Sequence, residues 1–155
     1  MATPPRRKRT SAASASKSSA SILVDAGPLI AFFKRSDRHH LRVKRFLEPF
    51  RGRLLTTWPV LCEVTYMLGY SVERQTSFLT WIRRGGAAVV DIGAADIDTV
   101  IGLMSKYADR PMDLADASLV WLAQQTGTYD ILTIDQRDFA AYRAFGRKPF
   151  TNLLA

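Results

Sequence analysis

Two short apolar runs in this chain, SILV at 21–24 and ILTI at 131–134, lead straight into an aspartate, Asp25 and Asp135. Runs this short are too brief for a core helix and suit strands buried on both faces. A charge at the end of such a strand constrains the fold, because an unpaired buried carboxylate is costly. The segments 54–56 and 87–92 read as further strands, and 150–154 as a strand at the sheet edge. Helical spacing fills the gaps between them. Gly27 and Pro28 open a helix through Leu29, Ile30, Phe32 and Phe33, since proline fits a first helical turn. A second helix spans 38–50 on Val43, Phe46, Leu47 and Phe50. Thr57 is placed to cap the helix that Pro59 begins, and a helix through Phe78, Leu79 and Ile82 stops at Gly85 and Gly86. Two more helices cover 96–107 and 114–123. Short strands alternating with helices imply an α/β fold, a three-layer α/β/α sandwich around a mostly parallel sheet.

The chain has 155 residues, 47% of them hydrophobic, which is enough for one domain with a real core. No apolar stretch is long enough to span a membrane. The single cysteine, Cys62, excludes a disulfide framework and suits a reducing compartment, the cytoplasm. With only His39 and His40 beside it, soft-ligand zinc sites are excluded as well. Net charge is +8, but Arg6, Arg7, Lys8, Arg9 and Lys17 carry +5 of it within an acid-free start. Residues 1–20, rich in Ser and Ala, therefore read as a disordered basic tail, and 21–155 as the folded domain. Such an arm favours polyanions such as nucleic acid, although a solvated extension or an organellar transit segment has similar composition.

Two more acids sit among apolar neighbours. Glu63 follows Val60 by three residues and precedes Met67 by four, so it falls on their side of a helix, and Asp116 lies in the first turn of another helix, near Asp113. Four like charges in one fold repel by several kcal/mol per close pair unless a counter-ion joins them. Asp25, Glu63, Asp116 and Asp135 are therefore read as one site around a hard cation, Mg2+ or Mn2+, which prefers oxygen ligands. That chemistry fits metal-assisted phosphodiester cleavage. Each acid also has a local explanation. Asp113 with Asp116, and Asp135 with Asp138, are spaced as helix caps, Asp25 can form an Asx-turn, and Glu63 can join a salt bridge.

The segments VDAGPLIAFF, LCEVTYML, MDLADASLVWLA and LTIDQRDF, in that order, give the chain from Ile22 to Ala155 its family likeness. It resembles the PIN-domain nucleases, especially the toxin subunits of VapBC-type toxin–antitoxin pairs. The resemblance implies a Mg2+- or Mn2+-dependent endoribonuclease in which Asp25, Glu63, Asp116 and Asp135 bind metal and activate water. It makes Thr133 the hydroxyl that orients the fourth acid, and Asp113 an additional ligand or support. It also implies a homodimer, and a small antitoxin whose tail enters the active groove. One departure is that Ala26 and Gly27 stand where many members place Ser or Thr.

RNA contacts are expected from Arg35, Arg38 and Arg42, which with Arg45 make one basic helix surface, and Arg83 with Arg84 make another; a solvated helix face explains such charges more often than not. Trp58, Trp81 and Trp121 read as core, and His39 and His40 as exposed. Two other functions fit less completely. A catalytically weak or inactive PIN-like module would grip RNA or protein without cutting. A phosphotransferase of the haloacid dehalogenase type would need an acid where Gly27 stands.

Overall fold

The computed structural model describes residues 20–155, so the basic-tail reading lies outside the described residues. Its strands are β1 (Ser21–Val24), β2 (Arg53–Thr57), β3 (Ala88–Val90), β4 (Asp130–Leu132), β5 (Arg143–Ala144), β6 (Lys148–Pro149) and β7 (Thr151–Asn152). Five of them form one sheet in the order β3-β2-β1-β4-β7, every pairing parallel. β5 and β6 make a separate antiparallel hairpin. The helices are α1 (Ala26–Phe33), α2 (His40–Leu47), α3 (Trp58–Met67), α4 (Val72–Arg83), α5 (Ile97–Lys106), α6 (Leu114–Thr126) and α7 (Gln136–Ala141).

The sandwich follows from the apolar runs. Successive strand side chains point to opposite faces, yet Ile22, Leu23 and Val24 of β1 are all buried, so both faces of the central strand are covered. α6 is sealed in the same way: from Ala117 to Ala123 every residue is buried, and burying each large one is worth about 1.5–3 kcal/mol. Gly127, at φ +68°, ends that helix in the left-handed conformation that glycine accepts without strain. No helix among the described residues is long and apolar enough to cross a membrane.

Some boundaries differ from the sequence reading. The strand expected over 131–134 stops at Leu132, because Thr133 pairs with a side chain instead of a strand backbone. The 38–50 helix is confined to His40–Leu47: a turn closed by His40 N–H to the Asp37 carbonyl precedes it, and Pro49 follows. Strand 87–92 shortens to Ala88–Val90, and the edge strand to Thr151–Asn152. Met67 is exposed, since the buried stripe of α3 continues through Val64 to Leu68. Thr57 occupies the cap position of α3 without capping it; its hydroxyl lies 2.5 Å from that of the buried Ser118. Trp121 is core and Trp81 partly so, whereas Trp58 is exposed and donates from its indole to Asp91.

Chain order reverses between β1 and β4, with β2 on one side and β7 on the other. In open parallel sheets the crevice beyond the strand carboxyl ends at such a reversal is where ligands bind. Asp25 and Thr133 are the residues that leave β1 and β4 at that point.

Candidate active site

One hydroxyl ties the two central strand ends together. Thr133 Oγ1 donates to Asp25 Oδ2 at 2.7 Å and accepts the backbone N–H of Asp135 at 3.0 Å. Asp25 Oδ1 accepts from Ala26 N–H at 2.7 Å, capping α1, and its own N–H donates to the Leu132 carbonyl. The buried Asp25 carboxylate is thus held at both oxygens. Thr133 was expected to orient the fourth acid; its side chain holds the first acid and only the backbone of the fourth.

The remaining acids arrive on helices. Asp113 caps α6 by accepting from Asp116 N–H at 2.9 Å, and Asp135 caps α7 by accepting from Asp138 N–H at 3.0 Å. The capping readings are therefore realised, yet the same residues also face the cavity. Asp116 does not complete a reciprocal box; its Oδ2 accepts the Tyr142 hydroxyl at 3.0 Å. Glu63, half-buried on α3, makes no side-chain hydrogen bond or salt bridge among the described residues. Asp25, Glu63, Asp113, Asp116, Asp135 and Asp138 line a single cavity of about 740 Å³. All four acids singled out from the sequence share it, with Asp113 and Thr133.

Arg38, His39, Arg42 and Arg137 form its basic lip. Arg35 is exposed and does not line the cavity, and Arg42 is engaged with the Leu154 carbonyl. His39 and His40 are half-buried instead of exposed: His39 Nε2 accepts from Arg38 Nε, and the His40 ring bonds the Ala31 carbonyl. Sequence reasoning gave no site role to His39, Arg137, Asp138 or Tyr142. Only Asp138, one turn beyond Asp135, carried a signal, as a cap partner.

Crowding shows in the acidities. Burial pushes Asp25 from 3.8 up to about 6; bonds from Thr133 and Ala26 pull it back, and the charges of Asp113 and Asp135 raise it further. Glu63 rises from 4.5 to about 6 through burial, then Asp113 and Asp25. Asp116 rises furthest, from 3.8 to about 8, through burial and the charges of Asp25 and Asp113, against the Tyr142 bond. Burial, then the neighbouring Asp116, lifts the Tyr142 hydroxyl well above its usual range. Asp138 is raised by burial and Asp135 and relieved by Arg110, 3.9 Å away. Among the described residues no three His, Cys, Asp or Glu side chains close into a ready-made metal cage; the acids are spread around an open cavity.

The PIN domain model matches residues 22–144. The chain is 29% identical over 132 residues to ribonuclease VapC26 of Mycobacterium tuberculosis, covering 84% of this chain and 98% of that protein. The crystal structure of Mycobacterium tuberculosis VapC20, a sarcin-ricin loop cleaving toxin, superposes with a TM-score of 0.68 at 18% identity. That match covers 75% of this chain and 91% of VapC20, a likeness of fold. A family match across most of the domain and a carboxylate cavity at the reversal of a parallel sheet lead to one assignment: the chain belongs to the PIN-domain family.

Proposed function

We propose that this chain is a Mg2+- or Mn2+-dependent endoribonuclease, the toxin half of a toxin–antitoxin pair that acts in the cytoplasm. The observation that carries the reading is the convergence of Asp25, Glu63 and Asp116 on one cavity, each pushed upward by burial first and then by neighbouring carboxylate charge. An oxygen-only set of mutually repelling carboxylates fits a hard divalent cation, which takes few protein ligands and keeps waters around it. Asp25, Asp116, Asp135 and Glu63 would hold it, with Asp113 beside them. When bound, the cation supplies a polarised water and offsets the charge developing on the phosphate.

The chain's own groups do the rest. Thr133 and Ala26 fix both oxygens of Asp25, and Tyr142 fixes Asp116, so the donors are oriented before anything binds. Glu63, uncommitted to any cap or hydrogen bond among the described residues, takes the proton of the attacking water. Arg38, Arg137 and His39 hold the phosphates flanking the scissile one, and an antitoxin tail would compete for the same lip.

A binding module without cleavage remains the second reading, on one observation. A Cβ at Gly27 would stand 3.3 Å from Ile134 Cβ, so the hydroxyl that many relatives carry near here has little room.

The homodimer is proposed on a separate face. Ile97, Ile101 and Met104 recur along one side of α5 and remain exposed beside Leu114 and Trp58, lining an apolar groove of about 680 Å³. A second copy would cover them.

Three outcomes follow. RNA cleavage with Mg2+ or Mn2+ is abolished by EDTA, and Asp25→Asn and Asp116→Asn each lower kcat at least about 100-fold; chelator-insensitive cutting would exclude the mechanism, and binding without cutting would favour the second reading. Asp25, Glu63 and Asp116 have folded pKa values above their ordinary ones, so they bind protons more tightly in the folded state. Their contribution to metal-free stability is full below about pH 4 and is lost as pH rises through 6 and 8. The melting temperature of metal-free wild type therefore falls relative to Asp116→Asn between pH 5 and 8, and Mn2+ restores it at pH 8; a constant difference would contradict this. Light scattering gives a dimer mass for wild type and a monomer for Ile101→Lys; equal masses would remove α5 from the interface.

A further inference from the structure

β7 is only two residues long, and its backbone reaches no further along β4 than Ile131, where Leu153 N–H meets the Ile131 carbonyl at 2.9 Å. The next peptide of that chain, at Thr133, is paired by a side chain. Asn152 Nδ2 donates to the Thr133 carbonyl at 3.1 Å, while Asn152 Oδ1 accepts Thr133 N–H at 3.4 Å. The same oxygen accepts Leu154 N–H at 3.0 Å. Two N–H donors on one atom and a carbonyl on the other leave a single amide orientation. The carboxamide therefore acts as a substitute strand residue, in the place where the chain leaves β7.

We propose that Asn152 is a positioning residue for RNA cleavage, acting through the Thr133 peptide on the Asp25 carboxylate. The inference rests on the nuclease reading above. Thr133 is fully buried, and its hydroxyl is the donor that fixes Asp25 Oδ2 and receives Asp135 N–H. Where the Thr133 peptide sits decides where that hydroxyl sits, and so how Asp25 faces the cavity. Asparagine suits the position because it supplies donor and acceptor together at this reach. Aspartate keeps only the acceptor, and alanine keeps neither. Supporting groups of this kind set ligand geometry without touching the reacting atoms.

The test uses the full chain and four variants: Asn152→Ala, Thr133→Val, the double variant and Asp25→Asn. Steady-state RNA cleavage is measured well below each melting temperature, and Mn2+ affinity is measured by electron paramagnetic resonance without RNA. Asn152→Ala is expected to lower kcat and Mn2+ affinity about 10–100-fold with KM little changed. Adding it to Thr133→Val is expected to cause no further loss, because both act on one carboxylate. A purely structural clamp would lower the melting temperature and leave kcat and Mn2+ affinity at wild-type values, which would overturn the proposal. So would losses that multiply in the double variant. If Asn152→Ala does not fold, Asn152→Asp, which retains the acceptor, must show the same kcat and Mn2+ defects. An inactive Asp25→Asn beside an unaffected Asn152→Ala removes the positioning role alone, and so does a fully active Asp25→Asn; a wild-type chain that binds RNA without cutting it removes the nuclease reading and this proposal with it.

Discussion

The hydrogen bond from Thr133 to Asp25 joins the ends of β1 and β4, and the geometry of the cavity is built outward from it. Parallel strands leave their last peptides pointing into the same crevice, so two residues far apart in sequence meet there without any special loop. Asp25 gains a donor at each oxygen, and the Asp135 amide gains an acceptor. The same hydroxyl therefore sets one acid and anchors the turn that carries another. Asn152 holds the peptide beneath it, which extends the arrangement to the edge strand.

Against this order stands electrostatic repulsion. A carboxylate on a helix cap stabilises that helix by about 0.5–2 kcal/mol, and Asp25, Asp113 and Asp135 each cap one. Local capping thus supplies a reason for each acid to sit where it does. It relieves neither their burial nor their mutual charge: through burial first, then the charges of Asp25 and Asp113, Asp116 rises to about 8, where an ordinary aspartate would be fully ionised at neutral pH. On the proposed reading a divalent cation would displace protons from these raised carboxyl groups, which would link acidity, stability and cleavage through one set of side chains.

Much of this was legible in residue order, for reasons that can be named. Strand and helix periods differ, so the alternation of short apolar runs with helical spacing indicated a parallel sheet, and aspartates after SILV and ILTI marked its carboxyl ends. Glu63 stood out because its neighbours Val60 and Val64 are core. Long-range pairings were not legible. Tyr142 reaches Asp116 across 26 positions and Asn152 reaches Thr133 across 19, and neither residue type announces such a partner. Thr57 looked like a cap by type and position, yet the buried Ser118 hydroxyl offered it a partner inside the core. Arg35 shares a basic surface with Arg38 and Arg42 in sequence, but only the latter two line the cavity.

On the proposed reading the gathered carboxylates exchange protons for a divalent cation. Calorimetric titration of Mn2+ into the metal-free protein at pH 7, in two buffers of different ionisation enthalpy, measures this directly. Saturable binding with net proton release is the predicted result, with less release from Asp116→Asn. Absence of binding heat, or uptake without any release of protons, would contradict it.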